Sequence, residues 1–331
     1  MEYTGAAPIF IIGRQHSGNT MLASVFEKAR GMRSMRGEGT FFEYQTALDR
    51  LAVPGRIAAV AQSIKDSDQP PLEHALLTGL CDHLKRVSAE SLAEPSAAQL
   101  YSHGMDWLVR QAGAERWSQK ATSYIFYVPD VLRVFPRAKL IFLLRNPFDL
   151  MASAMRRAAA HDRAALELVR LALGWNKGVK LAGHYRVRYP GNFMQVRYED
   201  LAARPESTLR EIFNFAGLAF DPAYLDIHHV NRSETPYNLT SEQRGINGSR
   251  VYYYAQTLSP AQIGALTAVI SMPGLRRSYP ELGSLMRRSR PSWRSVIPLY
   301  ANYIWPTINQ QAGLLIRKPR YALARTWRRL R

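Results

Sequence analysis

A glycine-framed loop near the start of the chain constrains the fold more than any other feature. The apolar run PIFII at residues 8–12 leads into GRQHSGNT at residues 13–20, and helix-forming sequence follows from about Thr20. A short apolar run of this kind predicts a buried parallel strand rather than a helix. Small residues between a strand and a helix let successive backbone N–H groups converge on an anion at the helix N-terminus. The loop therefore predicts a phosphate site, with a plain glycine-rich turn as the structural alternative.

Two later segments repeat this order of apolar strand, turn and helix. The run KLIFLL at residues 139–144 predicts a second buried strand, which ends at Arg145 and precedes a helix from about Phe148. Residues 193–197 predict a third strand, and residues 205–216 predict the helix that follows it. Strands that alternate with helices favour a parallel sheet covered on both faces. We therefore expect an α/β fold of the P-loop type, with a doubly wound parallel sheet.

The segments between these units complete the predicted organisation. Residues 49–114 show a helical, polar-rich pattern without a clear strand. A Ser-Pro pair at Ser259 opens a late helix that extends to about Ile270. We predict one domain over residues 1–285, with a helical insertion at about 45–115.

Positive charge is concentrated at the end of the chain. The formal net charge is +18, eleven Lys or Arg lie in residues 287–331, and no Asp or Glu follows Glu281. We treat residues 286–331 as a basic aromatic C-terminal tail, whose charge suits anionic lipid headgroups. A groove for a polysaccharide or nucleic acid, and a solvated extension, are the alternatives. The chain before the tail is only mildly basic, which indicates a polyanionic ligand or acceptor. The uneven distribution of positive charge along the chain disfavours nucleic acid as a partner.

The cysteine content and the length of the apolar runs indicate in which cellular compartment the protein is expected. Cys81 is the single cysteine, so it cannot form an internal disulfide, and the first residues do not resemble a signal peptide. No stretch of about 18 consecutive apolar residues is present. We expect a cytoplasmic protein in which the tail is the part that contacts the inner face of a membrane.

The loop departs from a Walker loop at one informative position. Asn19 stands where a Walker loop carries the lysine that reaches the β- and γ-phosphates. Without this cation, phosphoryl transfer from ATP with Mg²⁺ loses its main loop charge. The loop therefore suits a phosphorylated nucleotide that takes part in a different chemistry.

A second motif accompanies the loop. The segment FLLRNPFDLMAS has Arg145, Asp149 and Ser153 in the pattern R-N-P-x-D-x-x-x-S. The two motifs, in this order, resemble the nucleotide-binding motifs of sulfotransferases that use 3′-phosphoadenosine 5′-phosphosulfate. The resemblance implies that Arg145 and Ser153 hold the 3′-phosphate, and a guanidinium at a strand end can converge with a hydroxyl of the next helix on one anion. For Arg145 the structural alternative is an ion pair with Asp149.

Further matches extend the resemblance from about Pro8 to about Ile270. QKATSY at residues 119–124 resembles the family segment E-K-S-x-x-Y, VRYEDL at residues 196–201 resembles a structural element, and GINGSR at residues 245–250 resembles the late loop that closes over the nucleotide. The nucleotide-binding residues implied by the resemblance are Arg14, Gln15, His16, Ser17, Gly18, Asn19, Thr20, Arg145, Ser153, Gly248 and Arg250.

Sulfuryl transfer requires a base for the acceptor hydroxyl and positive charge or hydrogen bonds at the leaving phosphate oxygen, with no metal. The resemblance implies that Glu38 is the general base, with Glu43 in reserve. His16 occupies the position where related enzymes carry Lys or Arg. Its ordinary pKa of about 6.5 leaves it partly charged at neutral pH unless bound phosphates raise that pKa. Lys120 or Arg14 is the alternative source of permanent charge.

The leading hypothesis is a bacterial-type sulfotransferase that moves the sulfuryl group to a hydroxyl, on a carbohydrate or glycolipid. One rival is a P-loop kinase, which the missing loop lysine disfavours. The other is a basic, non-catalytic protein that binds nucleotide, membrane or nucleic acid.

Overall fold

The computed structural model of the chain describes residues 5, 7–68, 72–91, 93–158, 164–228, 244–246, 248–283 and 297. The chain divides into two compact units. The first comprises residues 1–145 and 178–251, and the second comprises residues 146–177 and 252–331.

A five-stranded sheet is the frame of the first unit. Its strands are β1 Ile9–Gly13, β2 Met32–Met35, β3 Arg116–Lys120, β4 Lys139–Leu144 and β5 Phe193–Arg197. Their order is β2-β3-β1-β4-β5, and every neighbouring pair is parallel. Ile11 of β1 pairs in register with Lys120 on one side and Ile141 on the other. The predicted parallel sheet is therefore confirmed.

The apolar runs predict β1, β4 and β5 but miss β2 and β3. The sequences MRSM and RWSQK contain few apolar residues, and two of the buried positions of β3 are Ser118 and Gln119. Hydrogen bonds satisfy the two serines: Ser118 Oγ donates to Ser34 Oγ at 3.0 Å, and Ser34 Oγ donates to the Ala23 carbonyl at 3.2 Å. Hydrogen bonds thus hold the buried serines of these strands, and hydrophobic periodicity does not detect such contacts.

The helices of the described ranges follow the predicted alternation. Four of them, α2 to α5, separate β2 from β3, in the region where the sequence predicts a helical insertion. The helix predicted at residues 205–216 is confirmed as α10, whereas the one predicted to reach Ile270 ends at Thr267. The helices are α1 Asn19–Glu27, α2 Phe41–Leu48, α3 Val53–Asp66, α4 His74–Glu90, α5 Ala97–Gln111, α6 Val128–Val134, α7 Pro147–Ala158, α8 Ala164–Arg188, α9 Tyr198–Ala203, α10 Pro205–Ala216, α11 Tyr254–Thr257, α12 Pro260–Thr267 and α13 Met272–Ser278.

Helices cover both faces of the sheet because successive side chains of a strand point to opposite faces. On one face, Ile9 and Ile11 pack in a core with α1 and α10, where the Phe26 and Phe213 rings stack at 5.0 Å. On the other face, Phe10 lies in an aromatic cluster, 5.2–6.4 Å between ring centroids from Trp117, Tyr124, Phe135 and Phe42. The doubly wound arrangement expected from the sequence is therefore confirmed.

The second unit contains α7, the first part of α8 and α11 to α13. Asp149 in the first turn of α7 accepts hydrogen bonds from the backbone N–H groups of Tyr252 at 2.7 Å and Tyr254 at 2.8 Å. Asn176 donates to the Val269 carbonyl at 2.8 Å. The predicted tail at 286–331 lies outside the described residues apart from residue 297, so its boundary stays a prediction. Within the described part of the chain, no helix has the length and apolarity needed to cross a bilayer.

The aromatic cluster around Phe10 allows the assignment of the hydrophobic core to be tested. Replacing the fully buried Phe10 with alanine removes ring contacts with four neighbours, so we expect a loss of about 3–5 kcal/mol in the free energy of unfolding, measured with urea. Phe220 is half-buried, and Phe220→Ala serves as the matched control with a smaller expected loss. Equal losses for the two variants would contradict the assignment of Phe10 to the main core.

Candidate active site

The five strand ends meet at one edge of the sheet. Gly13, Met35, Lys120, Leu144 and Arg197 are the last residues of β1 to β5. Because all five strands are parallel, the segments that follow these residues gather at the same edge, which is where α/β sheets bind ligands. The candidate active site is built from those segments within the first unit.

The loop at residues 13–20 forms a tight turn that enters α1. The Ser17 N–H donates to the Arg14 carbonyl at 3.1 Å, and the Leu22 N–H donates to the Gly18 carbonyl at 3.1 Å. Gly18 is the N-cap with φ of 92°, and a Cβ at this position would lie 2.9 Å from the Tyr198 ring. Glycine is therefore required by both the backbone conformation and the close contact. The predicted order of strand, loop and helix is confirmed.

His16 adopts a left-handed backbone conformation with φ of 67°. This conformation costs a residue other than glycine about 1–3 kcal/mol and persists where the surroundings fix it. Arg145 supplies such a contact, since its Nη1 donates to the His16 carbonyl at 2.7 Å. The sequence singles out the imidazole of His16, whose role stays a prediction, and the structure adds that the main-chain carbonyl of His16 binds Arg145.

Arg145 connects three segments of the first unit. It lies directly after β4 and is 6% exposed. In addition to the bond to His16, its Nη2 donates to the Arg250 carbonyl at 2.8 Å. Its guanidinium lies 4.5 Å from the centroid of the Tyr198 ring, a cation–π distance. Arg145 thus brings the loop, the late segment at 248–251 and the start of α9 together.

Sequence reasoning missed the position of Tyr198. The resemblance assigns the VRYEDL segment a structural role, but the Tyr198 ring contacts the position of Gly18 as well as Arg145. The available signal was its place in the chain, because a residue directly after a parallel strand lies at the edge of the sheet where ligands bind.

Glu38 lies in the turn after β2 and contacts the end of β3. Its Oε2 is 3.7 Å from Lys120 Nζ, and its Oε1 accepts a hydrogen bond from Thr122 Oγ1 at 2.6 Å. The Glu38 side chain is 39% exposed and that of Lys120 is 16% exposed, so the carboxylate is accessible while the amine is largely covered. Lys120 pairs in register with Ile11, so this ion pair lies one strand away from the loop.

Two glycines fix the turn that carries Glu38. A Cβ on Gly37 would lie 2.6 Å from the carbonyl group of Ser67, and a Cβ on Gly39 would lie 2.5 Å from Gln119 Oε1. The buried Gln119 side chain accepts a hydrogen bond from Tyr101 at 3.1 Å. Burial raises the pKa of Tyr101, so this hydroxyl stays protonated and continues to donate. The turn therefore rests on the end of α3 and on β3.

Glu43, the reserve candidate for the base, lies in the first turn of α2. Its Oε1 accepts a hydrogen bond from Ser123 Oγ at 2.6 Å. Glu38 and Glu43 therefore both bind the short segment that follows Lys120, through Thr122 and Ser123 respectively. Of the two, Glu38 is the carboxylate paired with a lysine.

Most of the predicted site residues belong to the first unit, with two qualifications. Gly248 lies in the late segment and is exposed, and Arg250 participates through its backbone carbonyl. Ser153 lies half-buried in α7 of the second unit, so its role beside Arg145 stays a prediction. Among the residues with a described placement, no group of three or more His, Cys, Asp or Glu side chains could hold a metal ion.

Comparison with known proteins identifies the family. A sequence model of the sulfotransferase family matches residues 8–222, about two thirds of the chain. The chain belongs to the sulfotransferase family. The match includes the loop, Glu38, Lys120, Arg145 and Ser153, but it ends before the segment that contains Gly248 and Arg250.

The curated relatives are distant and longer than the matched region. An uncharacterized protein of Aquifex aeolicus is 24% identical over 251 residues, which cover 74% of this chain and 30% of the relative. The omega-hydroxy-beta-dihydromenaquinone-9 sulfotransferase Stf3 of Mycobacterium bovis is 28% identical over 148 residues, which cover 38% of this chain and 37% of the relative. The chain thus spans about a third of the length of these relatives.

Solved structures support the fold. The sulfotransferase domain from the curacin biosynthetic pathway has a TM-score of 0.51 and 17% identity, and the alignment covers 87% of this chain and all of that domain. The α/β architecture with its parallel sheet is therefore that of known sulfotransferase domains.

The close contact at Gly37 yields a test of the turn that carries Glu38. Because Ser67 opposes Gly37 with backbone atoms that cannot move aside, Gly37→Ala should lower the free energy of unfolding by about 1–3 kcal/mol. Gly191 has open space around its missing Cβ, so Gly191→Ala should change stability by less than about 0.5 kcal/mol. Chemical denaturation of both variants measures the difference, and an unchanged Gly37→Ala would show that the turn is not held there.

Proposed function

We propose that the chain transfers the sulfuryl group of 3′-phosphoadenosine 5′-phosphosulfate to an acceptor hydroxyl by in-line displacement. The observation that carries the proposal is the arrangement at one sheet edge: an anion loop, a buried arginine after the neighbouring strand, and an accessible glutamate paired with a lysine. The nucleotide supplies an activated sulfuryl group on a phosphate leaving group.

The loop and Arg145 have the properties that a doubly phosphorylated nucleotide requires. The loop ends at the N-terminus of the nine-residue helix α1, where free N–H groups and the helix dipole favour an anion. We assign residues 14–20 to the 5′-phosphate. Arg145 donates to two neutral carbonyls, and a phosphate is a stronger acceptor because its oxygens are ionised and can take a bidentate pair of hydrogen bonds from a guanidinium. We assign Arg145 to the 3′-phosphate, the role that the R-N-P-x-D-x-x-x-S motif also implies for Ser153.

Glu38 is the proposed base. An acceptor hydroxyl can reach its exposed carboxylate, and Thr122 holds one carboxylate oxygen in place. As the new S–O bond forms to the acceptor and the S–O bond to the leaving phosphate breaks, Glu38 takes the hydroxyl proton. Proton uptake neutralises the counter-ion of Lys120, whose charge is then available to the leaving oxygen. His16, in the loop itself, is the alternative group for that oxygen.

The proposal also includes the chemical class of the acceptor. We propose a hydroxyl on a carbohydrate or glycolipid, reached by a cytoplasmic protein at the inner face of a membrane. The eleven Lys or Arg residues after Glu281 support attraction to an anionic surface. The relative from Mycobacterium bovis is named for a hydroxylated menaquinone, which is consistent with a hydroxyl acceptor.

Calorimetric titration with 3′-phosphoadenosine 5′-phosphate tests the nucleotide assignment. We expect binding by the unmodified chain, and a loss of roughly 100-fold in affinity for Arg145→Ala because two hydrogen bonds to a charged group disappear. Arg133 is exposed and pairs with Asp130 on α6, so Arg133→Ala is the control and should bind normally. No binding by the unmodified chain, or full binding by Arg145→Ala, would refute the assignment.

Substitution of the two glutamates tests the base. Glu38→Gln keeps the shape of the side chain but cannot accept the proton, so nucleotide affinity should stay within about twofold while turnover falls by about 10²–10⁴. Glu43→Gln is the matched control and should retain most of its turnover. Radiolabelled sulfate transfer to a panel of hydroxyl acceptors provides the measurement. The reverse result, with activity lost only in Glu43→Gln, would transfer the role to Glu43.

A further inference from the structure

Asn19 uses its side chain inside the loop rather than toward a ligand. It is the first residue of α1 and is 4% exposed. Its Nδ2 donates to the Arg14 carbonyl at 3.1 Å and to the Gly13 carbonyl at 3.3 Å. A Cβ on Gly13 would lie 2.7 Å from Asn19 Oδ1, which shows how closely the amide packs against the start of the loop.

These contacts connect the two ends of the loop. The Arg14 carbonyl accepts from both Asn19 Nδ2 and the Ser17 N–H, so it is the point at which the turn is closed. Carbonyl oxygens carry partial negative charge and would repel a phosphate if they turned toward it. By holding the carbonyls of Gly13 and Arg14, the amide keeps the loop in the conformation that presents N–H groups to an anion.

The donor end of the side chain matches this task. A carboxamide NH₂ group has two donors, and the loop offers it two carbonyls. An aspartate has the same shape but would place an acceptor against both oxygens. A lysine at this position would be a cation on a long flexible stem, without the fixed planar donor pair.

We propose that Asn19 is a positioning residue for the 5′-phosphate, and that its side chain acts by fixing the loop and not by binding the nucleotide. The inference rests on the proposed function, because it assigns the loop to the 5′-phosphate. It also gives a positive reason for asparagine at the place of the Walker lysine.

Two substitutions and two ligands test this inference by calorimetry on the full chain. Asn19→Asp should weaken binding of 3′-phosphoadenosine 5′-phosphate by at least about tenfold, while binding of adenosine 3′-monophosphate, which has no 5′-phosphate, should stay within about twofold. Asn19→Lys should also weaken the bisphosphate, despite its added positive charge. The control is Asn214→Asp, a charge change at an exposed position of α10, which should leave both affinities unchanged.

Several outcomes would overturn the inference. Equal losses for both ligands would indicate a general structural role, and tighter bisphosphate binding by Asn19→Lys would show that this position acts through charge. If Asn19→Asp fails to fold, the affinity of Asn19→Lys for the bisphosphate still decides between a positioning role and a role through charge. Normal binding by Asn19→Asp would refute this inference and leave the proposed function intact. If the unmodified chain binds no bisphosphate, the proposed function and this inference are both refuted.

Discussion

The hydrogen bond from Arg145 to the His16 carbonyl joins the two central strands of the site. Arg145 follows β4 and His16 follows β1, and these strands pair in register up to Gly13 and Leu143. The parallel sheet brings the two segments to the same edge, and the guanidinium then fixes their relative position. The same guanidinium reaches the Arg250 carbonyl and the Tyr198 ring, so β5 and the late segment are also located with respect to the loop.

The loop is therefore held at two points. Asn19 binds the carbonyls at its start, and Arg145 binds the carbonyl at its middle, where the backbone of His16 is left-handed. A strained conformation of this kind persists only where its surroundings fix it. Both side chains bind carbonyl oxygens, so the groups that would repel an anion are occupied by donors from within the protein.

The sequence predicts the strands that consist of apolar runs, but it does not predict the strands that contain buried polar residues. β1, β4 and the helix from Pro205 are predictable because an apolar run or a proline at a helix start reports them directly. β2 and β3 are not, since they bury polar residues such as Ser34 and Ser118, which hydrogen bond to each other. The Glu38–Lys120 pair depends on the pairing of those two strands, so no local pattern could have revealed it. The family resemblance supplied the roles of the individual residues, but it could not supply their contacts.

The position of Asn19 explains how the site can lack a loop lysine and still present positive charge. Because the carboxamide of Asn19 is engaged with the base of the loop, that position cannot also supply a cation. In addition to Arg14 in the loop, permanent charges lie at the ends of the neighbouring strands, with Lys120 as the last residue of β3 and Arg145 directly after β4. Lys120 is also coupled to Glu38, so charge at this edge changes when the carboxylate gains a proton. A Walker lysine carries its charge on the loop, whereas Lys120 lies beside the loop, where the proposed protonation of Glu38 would remove its counter-ion.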